Sequence, residues 1–281
     1  MISKVDVVVL AGGGTLKADA PAGRKKASSQ AGAPPGCPLA GATGNKALLT
    51  IGGRPMVDYV IEALRGCPEV GKIVLVGDAS LQKACCQPSG LLFVAPGDSP
   101  LSSLASGVAA LETAGCPLGA HPAADWVLSC TGDIPFLTAG AVSGFLRQCC
   151  QREADFYYPI TTRQKAEARF PGVKRTYARL RDGVFTGGNL FLVRRSIIGE
   201  VLPKAEDFIR LRKKPLAMAR LVGPGFLFAY LFGFLTIAMA ERRISGLVGY
   251  RGAAVISDYP EIGVDVDKIS DLDLARRLLA P

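Results

Sequence analysis

The sequence predicts an α/β protein with a mainly parallel sheet, helices on both faces and a helical insertion near the C-terminus. Three observations predict it. Short apolar runs rich in β-branched residues recur through the first 160 residues, as strands buried on both faces do. Segments with apolar residues at helical spacing separate those runs. Loops bearing glycine or aspartate follow two of the runs, where open α/β sheets bind ligands. The 281 residues suit one domain over 1–281, and a hydrophobic share of 49% is ample for a core.

Val5-Asp6-Val7-Val8-Val9-Leu10 is the first strand and runs into Gly12-Gly13-Gly14. Residues 15–44 are poor in large apolar residues and carry Arg24-Lys25-Lys26; they read as a long mobile loop. Met56, Val57, Val60, Ile61 and Leu64 mark the first helix, with Pro55 suited to its first turn. Strands are expected at Ile73–Gly77, Leu91–Ala95 and Trp126–Cys130, and helices at Ser102–Leu111 and 139–152. After residue 155 the pattern is less regular. Phe156–Ile160, Asn189–Val193 and Ala253–Ile256 read as strands, and 163–182 as a basic, turn-rich stretch. Residues 197–250 form the helical insertion. Ile269–Leu279 is the last helix, with Asp271 and Asp273 in its first turn.

A net charge of +9 and a pI of about 9.2 favour anionic partners. No nucleic-acid-binding signature accompanies the charge, so nucleic acid is not expected. The eight cysteines form no CxxC pair, and no signal peptide precedes them; free thiols in a reducing cytoplasm are the simplest reading. His121 is the single histidine, which excludes a histidine-rich metal site.

Leu221–Ala240 holds no charged side chain over twenty residues, so a membrane span comes into consideration. Gly223-Pro224-Gly225 breaks its start. A helix lying on the inner face of the membrane and an ordinary packed helix are the other two readings.

Three sites carry candidate chemistry. Leu10-Ala11-Gly12-Gly13-Gly14 lets backbone N–H groups approach a phosphate; a flexible turn is the bland alternative. Asp133 stands in Gly132-Asp133-Ile134-Pro135, past a strand end, and suits Mg²⁺, which takes one or two carboxylates with phosphate oxygens and water. A turn aspartate is the alternative there. In Val264-Asp265-Val266-Asp267, alternation puts the two acids on one face. Asp265 is the favoured second ligand, and Asp267 alternatively lies in the loop before the last helix.

The order Val8–Gly14, Asn45-Lys46-Ala47-Leu48, Gly53–Val57, Thr131–Pro135, Gly187-Gly188-Asn189 and Val264–Asp267 with Asp271-Leu272 resembles the MobA-like and sugar-nucleotide NTP transferases. The resemblance implies a Rossmann-like, GT-A-type fold and a Mg²⁺-dependent nucleotidyltransferase. It further implies that Leu10 to Gly14 hold the NTP phosphates and that Lys46 touches the α-phosphate or the substrate phosphate. Asp133 and Asp265 would bind Mg²⁺, Ser102, Ser103 and Gly107 would lie at the base or ribose, and Gly188 and Asn189 would face the acceptor. Two departures stand out. Thr15-Leu16-Lys17 replaces the arginine that often follows the glycines, and residues 196–250 have no counterpart in small members of the family.

A phosphorylated acceptor (a sugar, polyol or cofactor phosphate) needs no general base, because its phosphate is largely dianionic at neutral pH. Positioning and charge neutralisation then suffice. The basic stretch holding Arg169, Lys174 and Arg175 would bind that phosphate, or else is a solvated surface. Two other functions stay open on the residues: a GT-A glycosyltransferase using Asp265-Val266-Asp267, and a membrane-associated nucleotide-binding protein without catalysis.

Overall fold

The structure is a computed structural model that describes residues 2–14, 16–17, 44–85, 90–113, 124–211 and 221–279. Most of the 15–44 loop, Arg24-Lys25-Lys26, His121 and three of the cysteines lie outside the described residues.

One nine-stranded sheet organises the chain, in the order β5-β4-β1-β6-β10-β7-β9-β8, with β11 beside β7. Its first half is parallel: β5 (Leu91–Val94), β4 (Val70–Val76), β1 (Val5–Leu10) and β6 (Trp126–Thr131). Val7, Val8 and Val9 are completely buried, as expected of a strand covered on both faces. The second half is mixed. β10 (Leu190–Arg194) runs antiparallel to β6 and to β7 (Phe156–Thr162). β11 (Gly252–Ile256) is parallel to β7. The stretch 163–182, read as turn-rich, in fact holds helix α5 (Arg163–Arg169) and strand β8 (Ala178–Leu180), which pairs with β9 (Gly183–Gly187). Thr162 caps α5 by accepting from the Lys165 N–H.

Helices α1 (Met56–Arg65) and α4 (Ala139–Cys149) cover one face over Val7, Leu128, Val60 and Phe145. α3 (Pro100–Thr113) and α6 (Ile198–Leu211) cover the other over Val8, Val127, Leu104 and Val201. Two short elements were not foreseen. Thr50–Ile51 (β2) and Arg54–Pro55 (β3) form a hairpin through Gly52 and Gly53, both at positive φ. Pro55 therefore stands just before α1, at its N-cap, rather than in its first turn. Ala79–Ala84 is the short helix α2, capped by Asp78.

The apolar segment 221–240 is divided. Pro224 begins α7 (Pro224–Leu231), and Gly233 at positive φ follows its end. Thr236 then caps α8 (Ile237–Val248) by accepting from the Met239 N–H at 3.1 Å. No helix of the described residues is long and apolar enough to cross a membrane. The last helix is α9 (Ile269–Leu279).

At the amino end of β1, Asp6 is 3% exposed. It accepts from the Lys72 N–H at 3.0 Å, the Ala124 N–H at 3.2 Å and the Arg195 guanidinium. Arg195 also donates to the Ala124 carbonyl at 2.8 Å. This clamp ties the parallel strands to the turn that follows β10. Removing one partner of a buried, hydrogen-bonded ion pair typically costs about 3–5 kcal/mol. Asp6→Ala is expected to lower stability by that amount in urea unfolding, and a loss under about 1 kcal/mol would show that the clamp behaves as a surface pair.

Candidate active site

β1 and β6 are adjacent and parallel, with Leu10 opposite Thr131. β4 and β5 continue to one side of β1, whereas β6 lies on the other. The chain thus changes direction between β1 and β6, the place where open α/β sheets form ligand crevices. Gly12–Gly14 leave the end of β1, and Asp133 follows the end of β6. The Gly132 N–H donates to the Leu10 carbonyl at 2.9 Å and fixes the two loops side by side. Ala11 is buried, while Gly12, Gly13 and Gly14 are exposed. Gly13 and Gly14 have φ of 118° and 136°, which other residues rarely adopt.

Lys46 is delivered by a single 3-10 turn, Lys46–Leu48. Asn45 caps it, accepting from the Ala47 N–H at 3.0 Å. The Asn45 side chain also donates to the Ala11 carbonyl at 2.5 Å and to Asp78 at 3.1 Å. One side chain therefore locks the lysine turn to the glycine loop. The Lys46 N–H adds a bond to the Gly14 carbonyl at 3.2 Å.

The loop 264–267 arrives from the far end of the sequence. Val264 and Val266 are buried and Asp265 and Asp267 face outward, as the alternation implied. The Val266 N–H donates to the Asp133 carbonyl at 2.9 Å. Asp271 caps the start of α9, accepting from the Asp267 and Lys268 N–H groups at 3.2 and 3.0 Å. Beneath the loop lies a separate apolar cluster that includes Ile51, Met56, Phe136, Phe170, Val266 and Leu272.

The outcome is a cluster of Asp133, Asp265 and Asp267 whose ligand atoms all lie within 4.8 Å of one another. Lys46 Nζ stands 2.5 Å from Asp133 and 2.7 Å from Asp267. Arg175 pairs with Asp265, and Lys17 reaches Asp267 at 3.4 Å. Burial disfavours the charged Lys46, yet Asp133 first and Asp267 second outweigh it and hold its pKa above the ordinary lysine value. Burial likewise opposes the Asp267 carboxylate, but Lys46 and then Lys17 hold its pKa below the ordinary aspartate value. One oxygen of Asp133, Oδ1, is buried with no hydrogen-bond partner among the described residues. A buried orphan oxygen in a ring of carboxylates fits a hard cation.

Asp267 is the residue that the sequence reading set aside. It lies in the cluster as fully as Asp265 does. The available signal was its place on the same face of the strand-like loop.

Beside the cluster opens a cleft of about 390 Å³, lined among others by Lys174, Arg175, Gly188, Asn189, Asp265 and Lys268. Arg169 does not line it; its guanidinium lies over the Phe170 ring. Arg175 meets the acidic cluster directly through Asp265. The Ser102 and Ser103 hydroxyls are hydrogen-bonded to the loop before α3, and Gly107 is a packing position. Ser102 Oγ accepts from the Ser99 N–H at 2.8 Å, and Ser103 Oγ from the Gly97 N–H at 3.0 Å. A Cβ on Gly107 would meet Val8 at 2.5 Å, so glycine here lets α3 press onto β1.

Residues 7–206 match the MobA-like NTP transferase domain. The chain belongs to that family. It is an NTP transferase, and the glycosyltransferase and non-catalytic readings give way. It is similar to the structure of a hypothetical transferase from Thermus thermophilus, at 39% identity over 96% of this chain and 99% of that one, with a TM-score of 0.74. It shares its fold with a 4-diphosphocytidyl-2C-methyl-D-erythritol synthase from Anaerococcus prevotii, at 11% identity over 99% of both chains and a TM-score of 0.56. A CMP:2-keto-3-deoxy-manno-octonic acid synthetase solved with CTP also shares the fold, at 15% identity over 98% of this chain and 97% of that one, with a TM-score of 0.53. None of the curated proteins compared with this NTP transferase matches it.

Two expectations follow. Gly107→Val is expected to cost about 1–3 kcal/mol by overpacking while leaving NTP affinity unchanged in calorimetry; an affinity loss without destabilisation would assign Gly107 to the nucleotide site. Asp267 holds its proton less tightly folded than unfolded. Its pairing therefore stabilises the fold above the ordinary value of 3.8, and that contribution is lost as the pH falls through the lower folded value. In metal-free protein the advantage of wild type over Asp267→Asn is expected to be full above the ordinary value of 3.8 and to vanish once the pH has fallen through the lower folded value, as followed by thermal unfolding.

Proposed function

We propose that this NTP transferase moves a nucleoside monophosphate from an NTP onto the phosphate of a small-molecule acceptor, with Mg²⁺ bound and pyrophosphate released. The observation that carries the reading is the buried, unpartnered Oδ1 of Asp133 in a carboxylate cluster, at the crevice between the ends of β1 and β6. Asp133, Asp265 and Asp267 would hold the ion. When bound, it would neutralise charge on the phosphate oxygens. Gly12 to Gly14 would present backbone N–H groups to the triphosphate, while Leu10 and Ala11 would hold the loop to the sheet, the Ala11 N–H donating to the Val76 carbonyl at 2.8 Å. Lys46 would leave its carboxylate partners for the α-phosphate and stabilise the charge that grows there. Lys174, Gly188 and Asn189 would orient the acceptor, with Arg175 bridging acceptor and cluster.

An oxygen of the acceptor phosphate attacks the α-phosphorus in line. The new P–O bond forms as the bond from the α-phosphorus to pyrophosphate breaks. No proton has to be removed from a dianionic phosphate. This fits a crevice whose described lining offers lysine, arginine and carboxylates and no histidine or serine base.

Each of the four NTPs, with Mg²⁺, is to be screened by thermal shift. The cognate one is expected to stabilise the protein by about 2.7 kcal/mol at a hundred times its Kd. Pyrophosphate release with a panel of sugar, polyol and cofactor phosphates then reads turnover. Lys46→Ala and Asp133→Ala are each expected to lower kcat by about 100-fold or more. Full turnover in both variants would sink the assignment.

A further inference from the structure

The polar cleft has an apolar neighbour. A groove of about 660 Å³ lies between strands β7, β8 and β11 and helices α7 and α8. Its walls include Phe156, Ile160, Leu180, Leu227, Leu235 and Ile244. Its two charged members are engaged elsewhere. Glu241 pairs with Arg152 at 2.7 Å, and Arg243 donates to the Val222 and Leu221 carbonyls at 2.6 and 3.0 Å. The space is therefore apolar in effect as well as in composition.

Groove and cleft meet at one residue. Tyr158 lines both. A Cβ on Gly187 would fall 2.1 Å from the Tyr158 hydroxyl, so glycine at 187 lets the tyrosine lie across the boundary. On the cleft side stand Lys174, Arg175 and Lys268; on the groove side the walls are mostly hydrocarbon and aromatic, with Glu241 and Arg243 held by their own partners. α7 is apolar on its outer side as well, with Phe228 57% and Leu231 68% exposed. Exposed apolar clusters of this kind mark interaction sites in water-soluble folds.

We infer that the acceptor is amphipathic: a phosphate monoester of a lipid alcohol, its phosphate in the cleft and its chain in the groove past Tyr158. The inference rests on the proposed transfer reaction for the phosphate end and on the groove for the chain. The transfer itself is unchanged. An oxygen of the lipid phosphate bonds to the α-phosphorus, the bond to pyrophosphate breaks, and the product carries the nucleoside monophosphate on the lipid phosphate.

The test is calorimetric binding of butyl, hexyl, octyl and decyl phosphate, each below its micelle concentration, to the full chain with Mg²⁺ and its stabilising NTP in non-hydrolysable form. Burying each methylene should tighten binding about fourfold. Ile244→Glu and Tyr230→Glu, at 37% and 41% exposed positions on the groove lips, should flatten that series while leaving NTP affinity and the urea midpoint as in wild type. A flat series in wild type overturns the inference, as does a steep series that survives both variants. A flat series with a wild-type dimer that dissociates in the variants also overturns it, by giving the groove to a second copy. Pyrophosphate release with short polyol phosphates beside a flat series would sink the lipid acceptor alone. A steep series without pyrophosphate release from any NTP would sink the transfer reading and leave the groove assignment standing.

Discussion

Three carboxylates with oxygens within 4.8 Å of one another repel strongly, and in a partly buried crevice water screens them poorly. The fold answers this with cations placed among them. Lys46 lies between Asp133 and Asp267, and Arg175 meets Asp265. The arrangement joins positions more than two hundred residues apart in sequence. Its cations are also the groups that a nucleotide would need. In the proposed reaction a divalent cation would take over the part that Lys46 plays between the carboxylates and free the lysine for the phosphates.

Holding these groups in place is the task of two backbone registers. Pairing of β1 with β6 brings the glycine loop beside Asp133. The bond from the Val266 N–H to the Asp133 carbonyl brings in the acidic loop. Apolar packing supports both. Val264 and Val266 anchor the loop in the cluster with Ile51, Met56 and Leu272, which leaves Asp265 and Asp267 no choice but to face the crevice. At the opposite end of β1, Asp6 and Arg195 secure the same strand.

The insertion after residue 197 packs through α6 and α8 on the face that holds Val8 and Phe156, and Val248 joins that core. The matched family span ends at residue 206, so α7 and α8 lie beyond it, while the β7 and β8 walls of the groove lie within it. Glycine and proline chop the apolar segment 221–240 into a short helix, a turn and the start of another helix. Hydropathy sums a window and is blind to such breaks, which is why a twenty-residue apolar run resembled a span.

By itself the sequence determined the alternating α/β order, the buried strand at Val5–Leu10, the outward face shared by Asp265 and Asp267, and the family. These depend on local periodicity and on short motifs, which need no partner to be read. Only the tertiary structure decided which acids converge, since proximity of Lys46 to Asp267 depends on a loop that returns across the whole chain. It also shows that the Ser102 and Ser103 hydroxyls accept from the loop before α3 and that Gly107 lets α3 press onto β1, and that Arg169 lies over Phe170 while Arg175 meets Asp265. Composition treats those two arginines alike; their places do not, since Arg169 ends α5 and Arg175 stands in the loop between α5 and β8.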